Sequence, residues 1–214
     1  MVPVMPAAPP LPPGNQPLRP RQVLLFSGHL MDAPDRAVPR FPPAMEAAAR
    51  QAIDAELDRL GAGPADLARA QAAAGGDLLF LQACQRRGLQ VQVLLPFDEA
   101  RFLDESVRGA AFNREQGDWV GRYQAVRQRL TSPPRLMPDE LGPLPTGADA
   151  FEQCNLWLLN TALAAGADRL NFICLWNGGG GDGPGGTAHM VNEVKRRGGS
   201  VCWIDTRRLG TAPG

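Results

Sequence analysis

The sequence predicts an α/β protein with a three-layer, doubly wound fold, in which a mainly parallel sheet carries helices on both faces. Two observations support this Rossmann-like class. Candidate strands and helices alternate along most of the chain, and the candidate strands are continuously apolar, as expected for strands buried on both faces. Ligands of such sheets bind outside the carboxyl ends of the strands, so the loops that follow strands are the expected functional regions.

The first half of the folded region contains three candidate strands and two candidate helices. The helix predicted at 44–60 has apolar residues at helical spacing, and Gly61 ends it. An alanine-rich stretch follows, and its central glycine pair divides it into a strand and a helix. The predicted strands are 23–28, 67–74 and 89–97, and the second helix begins at Asp77 and is closed by Gly88.

The second half continues this alternation. A strong helix is predicted at 149–165, where apolar side chains recur on one face. The remaining predicted elements are helical patterns at 99–107 and 119–130, a short extended piece at 135–137, a buried strand at 167–177, a helix at 187–197 and a last strand at 200–205.

The chain of 214 residues is long enough for one domain with a sizeable core. Residues 1–20 are dominated by proline, which predicts a disordered arm because proline supports neither a helix interior nor a strand ladder. We therefore assign 21–207 to a single nucleotide-ligand-binding domain and 208–214 to a flexible tail.

Charge and hydropathy narrow the classes of partner. Lysine plus arginine and aspartate plus glutamate both number 22, so no overall field attracts a nucleic acid polymer or an anionic membrane. The longest apolar runs are too short to cross a bilayer. These observations predict a cytoplasmic protein whose anionic partners are held by a local site.

Cysteine and histidine usage predicts neither a metal nor a resident cofactor. The cysteines at 84, 154, 174 and 202 stand far apart in apolar neighbourhoods, as buried thiols in a reducing compartment do. The two histidines, His29 and His189, lie in no metal-spaced motif. The glycine patterns of a standard NAD site and of a P-loop do not occur.

Three loops after predicted strands carry unusual chemistry. Glycine turns that open helices let backbone N–H groups approach an anion such as phosphate, and the helix dipole favours its charge. The stretch NGGGGDGPGGT at 177–187 joins a buried strand to a helix of the same layer, a place where a flexible linker is not expected. The candidate ligand residues are Ser27, Gly28, His29, Arg36 and Arg40 in the first loop, Gly75, Gly76 and Asp77 in the second, and Asn177, Gly183, Gly185, Gly186, Thr187 and His189 in the third.

Several of these residues have a plainer alternative role. The leading glycines of the third loop could form a lid or a simple turn, leaving Gly185 and Gly186 for close helix packing. His29 could contact a ligand or be a satisfied structural group. Arg36 and Arg40 could pair with phosphate through bidentate contacts or remain solvated.

The roles of four further side chains are also left undecided by the sequence. Asp77 could accept a hydrogen bond from a ribose hydroxyl or cap its helix, and the cap is favoured. His189 follows a helix start, where the dipole opposes protonation, and could face the same ligand as a neutral group. Trp176 and Phe97 could stack on a base or belong to the core.

A resemblance to the nucleotide-binding SLOG superfamily is carried by five stretches, SGHLMDAP, AAAGGDLLFLQAC, VQVLLPFDEARFLDESV, GDWVGRY and LWNGGGGDGPGGT. This Rossmann-like group includes the LOG cytokinin-activating phosphoribohydrolases and the DNA-processing protein DprA. The resemblance covers about 23–205 and is strongest to bacterial domains that occur alone or fused to TPR, cyclase or other signalling modules. Likeness to the enzymes is confined to the order of the elements and the PGGT turn.

The resemblance implies a site for a nucleotide or nucleotide-derived ligand in bacterial signalling or defence, with the PGGT glycines and Thr187 around its phosphate. A fused or partner effector module and a homo-oligomer are expected with it. The superfamily enzymes carry a PGGxGTxxE-type motif, whose glutamate serves hydrolysis of the bond between base and ribose. Here the nearest acid after Thr187 is Glu193, two helical turns into the helix, so a sensing domain is favoured over an enzyme.

The alternative function is that of a LOG-like phosphoribohydrolase of nucleoside monophosphates, or of another N-glycosidic hydrolase or transferase. Such an enzyme needs a carboxylate beside the bound sugar. The candidates are Asp32, Asp77, Asp182 and Glu193, and the sequence assigns no catalytic residue among them.

Overall fold

A computed structural model of the chain describes residues 19–33, 36–108, 117–165, 169–180 and 186–209. Within these residues, six parallel strands form one sheet in the order β4-β3-β2-β1-β5-β6. The strands are β1 Gln22–Gly28, β2 Leu67–Ala70, β3 Gln90–Leu95, β4 Arg135–Leu136, β5 Arg169–Trp176 and β6 Ser200–Asp205. Most of the predicted proline-rich arm and residues 210–214 of the predicted tail lie outside the described residues.

Helices alternate with these strands along the described chain. They are α1 Glu46–Arg59, α2 Gly76–Arg86, α3 Glu99–Phe102, α4 Trp119–Gln128, α5 Met137–Leu141, α6 Ala150–Ala164 and α7 Thr187–Arg196. A π-helical turn, Leu103–Arg108, continues α3.

Two elements differ from the prediction. The second strand ends at Ala70 instead of residue 74, because the chain turns at Ala72, whose φ of 75° is incompatible with a strand. Met137, which the sequence places at the end of an extended piece, begins α5 instead. The proline that follows it occupies the first helical turn, a position that proline favours because its φ is already helical.

Two layers of helices cover the sheet. Helices α1, α2 and α4 pack on one face, and α6 and α7 pack on the other. Val23, Leu24 and Leu25 of the central strand have no exposed surface. Phe26 stacks on Phe80 of α2 with ring centroids 4.6 Å apart. This arrangement confirms the predicted three-layer, Rossmann-like α/β class.

The strand order reverses between β1 and β5. From β1 the chain builds the sheet outward through β2 and β3 to β4, and it then returns to pair β5 with the other side of β1. Gly28 at the end of β1 is in register with Leu175 near the end of β5. The loop after β1 leads to α1 on one face, whereas the loop after β5 leads to α7 on the other. In parallel sheets this divergence is where a ligand crevice forms, at the carboxyl edge of the sheet.

The ends of the folded region lie close to the predicted boundaries. Arg21 pairs with the buried carboxylate of Asp66, with 2.7 Å between Nη2 and Oδ2. A 3-10 turn, Thr206–Arg208, follows β6. Leu209 packs against the core, so the packed chain extends slightly past the predicted limit at 207.

Candidate functional site

The loops that follow β1 and β5 meet at the reversal of strand order. The backbone N–H of His29 donates to the carbonyl of Leu175 at 2.9 Å, and the His29 Nε2 accepts from the backbone N–H of Asn177 at 3.1 Å. The hydroxyl oxygens of Ser27 and Thr187 lie 3.3 Å apart. We call the region formed by residues 27–29, 177–180 and 186–187 the switch crevice.

The loop between β2 and α2 packs directly against the loop after β1. Leu30 forms an antiparallel bridge with Gly75, and the N–H of Gly76 donates to the carbonyl of His29 at 3.1 Å. A Cβ atom on Gly75 would lie 2.6 Å from the backbone nitrogen of Met31 and 2.7 Å from the His29 carbonyl oxygen. The missing side chain at Gly75 therefore allows two backbones to touch.

Gly28 and Gly76 have the same function of close approach. A Cβ on Gly76 would lie 3.2 Å from the Cα of Gly28, and a Cβ on Gly28 would lie 2.8 Å from the ring of Phe26. Together these glycines bring the start of α2 onto the end of β1. The contacts of Gly75 and Gly76 are thus with the protein's own backbone and core.

Asp77 lies in the first turn of α2, and its side chain is buried. Its carboxylate accepts from the N–H of Ala73 at 3.3 Å, and the backbone N–H groups of Gln71, Ala72 and Gly28 also act on it. Burial raises the pKa of Asp77 to about 7, although these N–H groups oppose the rise. The expectation that Asp77 caps α2 is wrong, because the N-cap is Gly75 and the Asp77 side chain reaches back to the loop.

A side chain of the protein itself occupies the anion-binding nest that the backbone N–H groups of the β2–α2 loop form. Consecutive backbone N–H groups of the β2–α2 loop converge on a carboxylate, which is the arrangement that the sequence predicts for an external phosphate. The carboxylate belongs to Asp77 itself. The second glycine turn therefore organises the loops around the switch crevice, and its described contacts are internal.

His29 is a buried, neutral acceptor in this structure. Burial lowers its pKa, and the charge of Arg40 lowers it further, with a smaller contribution from Arg36. Asp32 opposes both arginines. His29 therefore has hydrogen-bond partners within the protein, as a structural group does, and both arginines lie close enough to act on its charge.

Asp32 stabilises the loop that contains Arg36 and Arg40. Its Oδ2 accepts from the backbone N–H groups of Arg40 at 2.6 Å and Phe41 at 2.7 Å, and its Oδ1 lies 3.4 Å from the Nε of Arg36. The backbone N–H of Asp32 in turn donates to the carbonyl of Phe41 at 2.9 Å. These bonds hold Arg36 and Arg40 beside the end of β1.

The start of the glycine stretch is an ordered turn. The Oδ1 of Asn177 accepts from the N–H of Gly179 at 3.0 Å, and the indole N–H of Trp176 donates to the Gly179 carbonyl at 3.0 Å. Gly178 adopts a φ of +77°, which favours glycine. Gly183 and Gly185, together with Asp182, lie outside the described residues.

The end of the same stretch opens α7. Gly186 is its N-cap and Thr187 its first residue, and no side chain caps the helix among the described residues. Thr187 is buried against the sheet. The first-turn N–H groups of a helix carry partial positive charge, so this end of α7 favours a negatively charged group.

Two other residues on α7 pair with charged side chains outside the switch crevice. His189 lies between α7 and α6, where its Nε2 is 3.6 Å from a carboxylate oxygen of Glu152. Glu193 pairs with Arg196 and Arg197, and its pKa is lowered first by the hydrogen bond from Arg196. The ion-pair partners of His189 and Glu193 are thus on α6 and at the C-terminal end of α7.

The aromatic candidates divide between core and site. Phe97 is buried and packs edge-on against Phe151 with ring centroids 5.5 Å apart, which makes it a core residue. Trp176 is half-buried at the start of the glycine turn. Sequence reasoning missed its neighbour Trp203, whose ring lies 5.8 Å away on the edge strand β6. Its apolar context in SVCWID predicts burial, and only the strand order exposes it.

The described residues include both histidines and all four cysteines of the chain. No group of three or more histidine, cysteine, aspartate or glutamate side chains there is arranged to hold a metal ion. None of the described helices has the length and apolar character needed to span a membrane. The four cysteines are free thiols, and burial raises the pKa of each.

Comparison with known proteins gives no family. No protein-family model and no curated protein matches the chain. Two solved structures of Streptococcus suis SuiB are similar at 8% and 10% identity, and the first is bound to S-adenosylmethionine. Their TM-scores are 0.22 and 0.20, too low to bear on fold or ligand. The matches cover 87% and 88% of this chain and 47% and 50% of the SuiB chains, about half of their length.

Proposed function

We propose that this protein binds a nucleotide or nucleotide-derived ligand in the switch crevice. The observation that carries the proposal is the meeting of the loops after β1 and β5 at the reversal of strand order, through the His29–Asn177 and Ser27–Thr187 contacts. In parallel sheets this is the position where ligands bind.

In this proposal the phosphate of the ligand lies at the start of α7. Gly186 has no side chain to block a close approach, and the ten residues of α7 supply a helix dipole that favours negative charge. The hydroxyls of Ser27 and Thr187 lie within hydrogen-bond distance of each other, so one donates to the other and the second can donate to the phosphate. Arg36 and Arg40 contribute positive charge from the loop after β1.

The same features support membership in the SLOG superfamily. In this proposal the PGGT turn ends at the N-cap and first residue of α7, where a bound phosphate would be held by backbone N–H groups. We assign a sensing function, in which ligand binding is reported to a fused or partner module in bacterial signalling or defence. We further propose a cytoplasmic, homo-oligomeric protein.

Hydrolysis of an N-glycosidic bond is the alternative, and it needs an accessible carboxylate beside the ribose. Three of the four candidate acids lie among the residues that the structure describes, and each of the three is either buried or bonded to other groups of the protein. Asp32 braces its loop, Asp77 is buried, and Glu193 pairs with arginines on α7. These contacts favour binding over hydrolysis.

A thermal-shift screen tests the proposal with nucleoside monophosphates, cyclic nucleotides and ADP-ribose. A ligand at about 100 times its dissociation constant stabilises the folded state by roughly 2.7 kcal/mol. The variant Gly186→Val should lose this shift, because the new side chain occupies the approach to the helix start. Its backbone, with φ −74° and ψ 171°, is extended and open to any residue, so the fold itself should survive.

The matched control is Gly63→Val, in the turn before β2, where an added Cβ has no neighbour within 4 Å. This variant should respond to ligand like the wild type. The proposal fails if no compound stabilises the wild type, or if Gly186→Val responds equally well. Chromatography of the incubated nucleotides separates the two functions, since release of free base would favour the hydrolase.

A further inference from the structure

Trp203 is a large aromatic side chain that is both exposed and fixed. Its relative exposure is 49%, although it lies in a strand. Its indole N–H donates to the carbonyl of Trp176 at 2.8 Å, which sets the orientation of the ring. A rigid, half-exposed indole can bind a flat ligand with little loss of side-chain entropy.

The register of the sheet places Trp203 beside the switch crevice. Ser27 on β1 pairs with Cys174 on β5, and Cys174 pairs with Trp203 on β6. Paired residues on parallel strands point to the same face, and neighbouring strands are about 4.8 Å apart. Trp203 therefore lies on the face of α7, at the level of Ser27 and about 10 Å from it.

Gly178, near the start of the glycine stretch, rests against this ring. A Cβ atom on Gly178 would lie 3.1 Å from the Trp203 Cζ2 and 3.3 Å from the Nη2 of Arg207. The Arg207 guanidinium is 5.6 Å from the Trp203 ring centroid and forms an ion pair with Asp205. The glycine stretch thus runs from an aromatic surface at one end to the start of α7 at the other.

We propose that Trp203 is the stacking surface for the base of the bound ligand, which makes the ligand a nucleotide with an intact aromatic base. The inference rests on the proposed function, since it takes the phosphate to lie at Gly186 and Thr187. Phosphate at the start of α7 and the base on Trp203 place the two parts of the nucleotide at the two ends of one loop. Stacking of a base on an aromatic side chain contributes about 1–3 kcal/mol and tolerates different bases.

The test compares AMP with ribose 5-phosphate, which differ by the base, in calorimetric titrations. The wild type should bind AMP more tightly by roughly 5- to 150-fold, the range that corresponds to a stacked base. In Trp203→Ala the ratio of the two affinities should fall close to one. Trp203→Phe keeps an aromatic face and should retain most of the ratio.

Leu163→Ala is the matched control, because Leu163 is equally exposed, at 48%, near the end of α6 that leads into β5. It should leave the ratio unchanged, and circular dichroism checks that each variant is folded. Binding of both compounds with equal affinity, or an unchanged ratio in Trp203→Ala, overturns the stacking role while the phosphate site stands. Binding of neither compound by the wild type overturns the stacking proposal, and the absence of any stabilising compound in the thermal-shift screen overturns the proposed function as well. Loss of self-association in Trp203→Ala with an unchanged ratio would assign Trp203 to a subunit interface instead.

Discussion

Asp77 occupies a position where several backbone N–H groups converge, and its side chain is buried. Burial disfavours the charged form more than the N–H groups favour it, so the pKa rises to about 7. In the unfolded chain the same carboxyl has a pKa of about 4. Between these two values the folded state keeps a proton that the unfolded state has released.

This difference predicts that stability falls as pH rises from about 4 to 7, because the folded state binds more protons there. Each pKa unit corresponds to about 1.4 kcal/mol, so the loss attributable to Asp77 is roughly 4 kcal/mol at pH 8. Asp77→Asn imitates the neutral acid and should remove this loss. Urea denaturation should therefore show a gain in the free energy of unfolding from Asp77→Asn that is larger at pH 8 than at pH 5.

Carbon NMR titration of the Asp77 carboxyl provides the direct check, with a midpoint expected near pH 7. An equal effect of Asp77→Asn on stability at pH 5 and pH 8 would contradict this account. A midpoint near 4 would do the same.

At the scale of elements, the β2–α2 connection is the piece that positions the site. Gly75 has a φ of +113°, and its Cα faces the backbone of the loop after β1. That contact aligns His29 with the end of β5, where its Nε2 meets the N–H of Asn177. A disturbance at Gly75 should therefore reach the switch crevice without touching any ligand.

Gly75→Ala should lower the free energy of unfolding by about 3 kcal/mol or more. Strained backbone at a positive φ costs about 1–3 kcal/mol, and the new Cβ would also clash with backbone atoms that cannot move independently. Gly61→Ala separates these causes, because Gly61 has a φ of +57° with no atom near an added Cβ. Its cost should stay at about 1–2 kcal/mol in urea denaturation. Equal costs for the two variants would show that the loop contact contributes nothing.

In the molecule as a whole the positive and negative charges balance, so no net charge attracts an anionic ligand to the protein. The chain carries 22 basic and 22 acidic residues, so attraction of an anion depends on where a few groups stand. The helix start at Gly186 and the arginines of the loop after β1 come from distant parts of the sequence. The ligand of the proposed site would therefore join the two sides of the reversal in strand order.

Hydrogen exchange should detect the contact of one ligand with both the loop after β1 and the start of α7. With the nucleotide that gives the largest thermal shift, amides in 27–33 and in 186–190 should both exchange more slowly, because the ligand contacts both loops. Amides of α5 and β4, at the far edge of the sheet, should not change. Protection of one loop alone would place the ligand elsewhere.

Much of the fold follows from hydropathy pattern. Strands buried on both faces leave continuous apolar runs, and LNFICLW and VQVLL have this form because β5 and β3 are covered by helices on both sides. Helix ends also follow from local chemistry, as at Gly61 and Gly88. The turn at Ala72 does not, since alanine there gives no local signal for its positive φ.

The sequence by itself determined the class of fold and the loops in which function is expected, because alternation and glycine turns are local properties. Tertiary structure alone decided which backbone N–H groups are already used by the protein's own side chains. The nest of the β2–α2 loop is filled by Asp77, whereas α7 begins at Gly186 with no side-chain cap among the described residues. Tertiary structure also decided that Trp203 is exposed, because burial of a strand residue depends on whether its strand lies inside the sheet or at the edge.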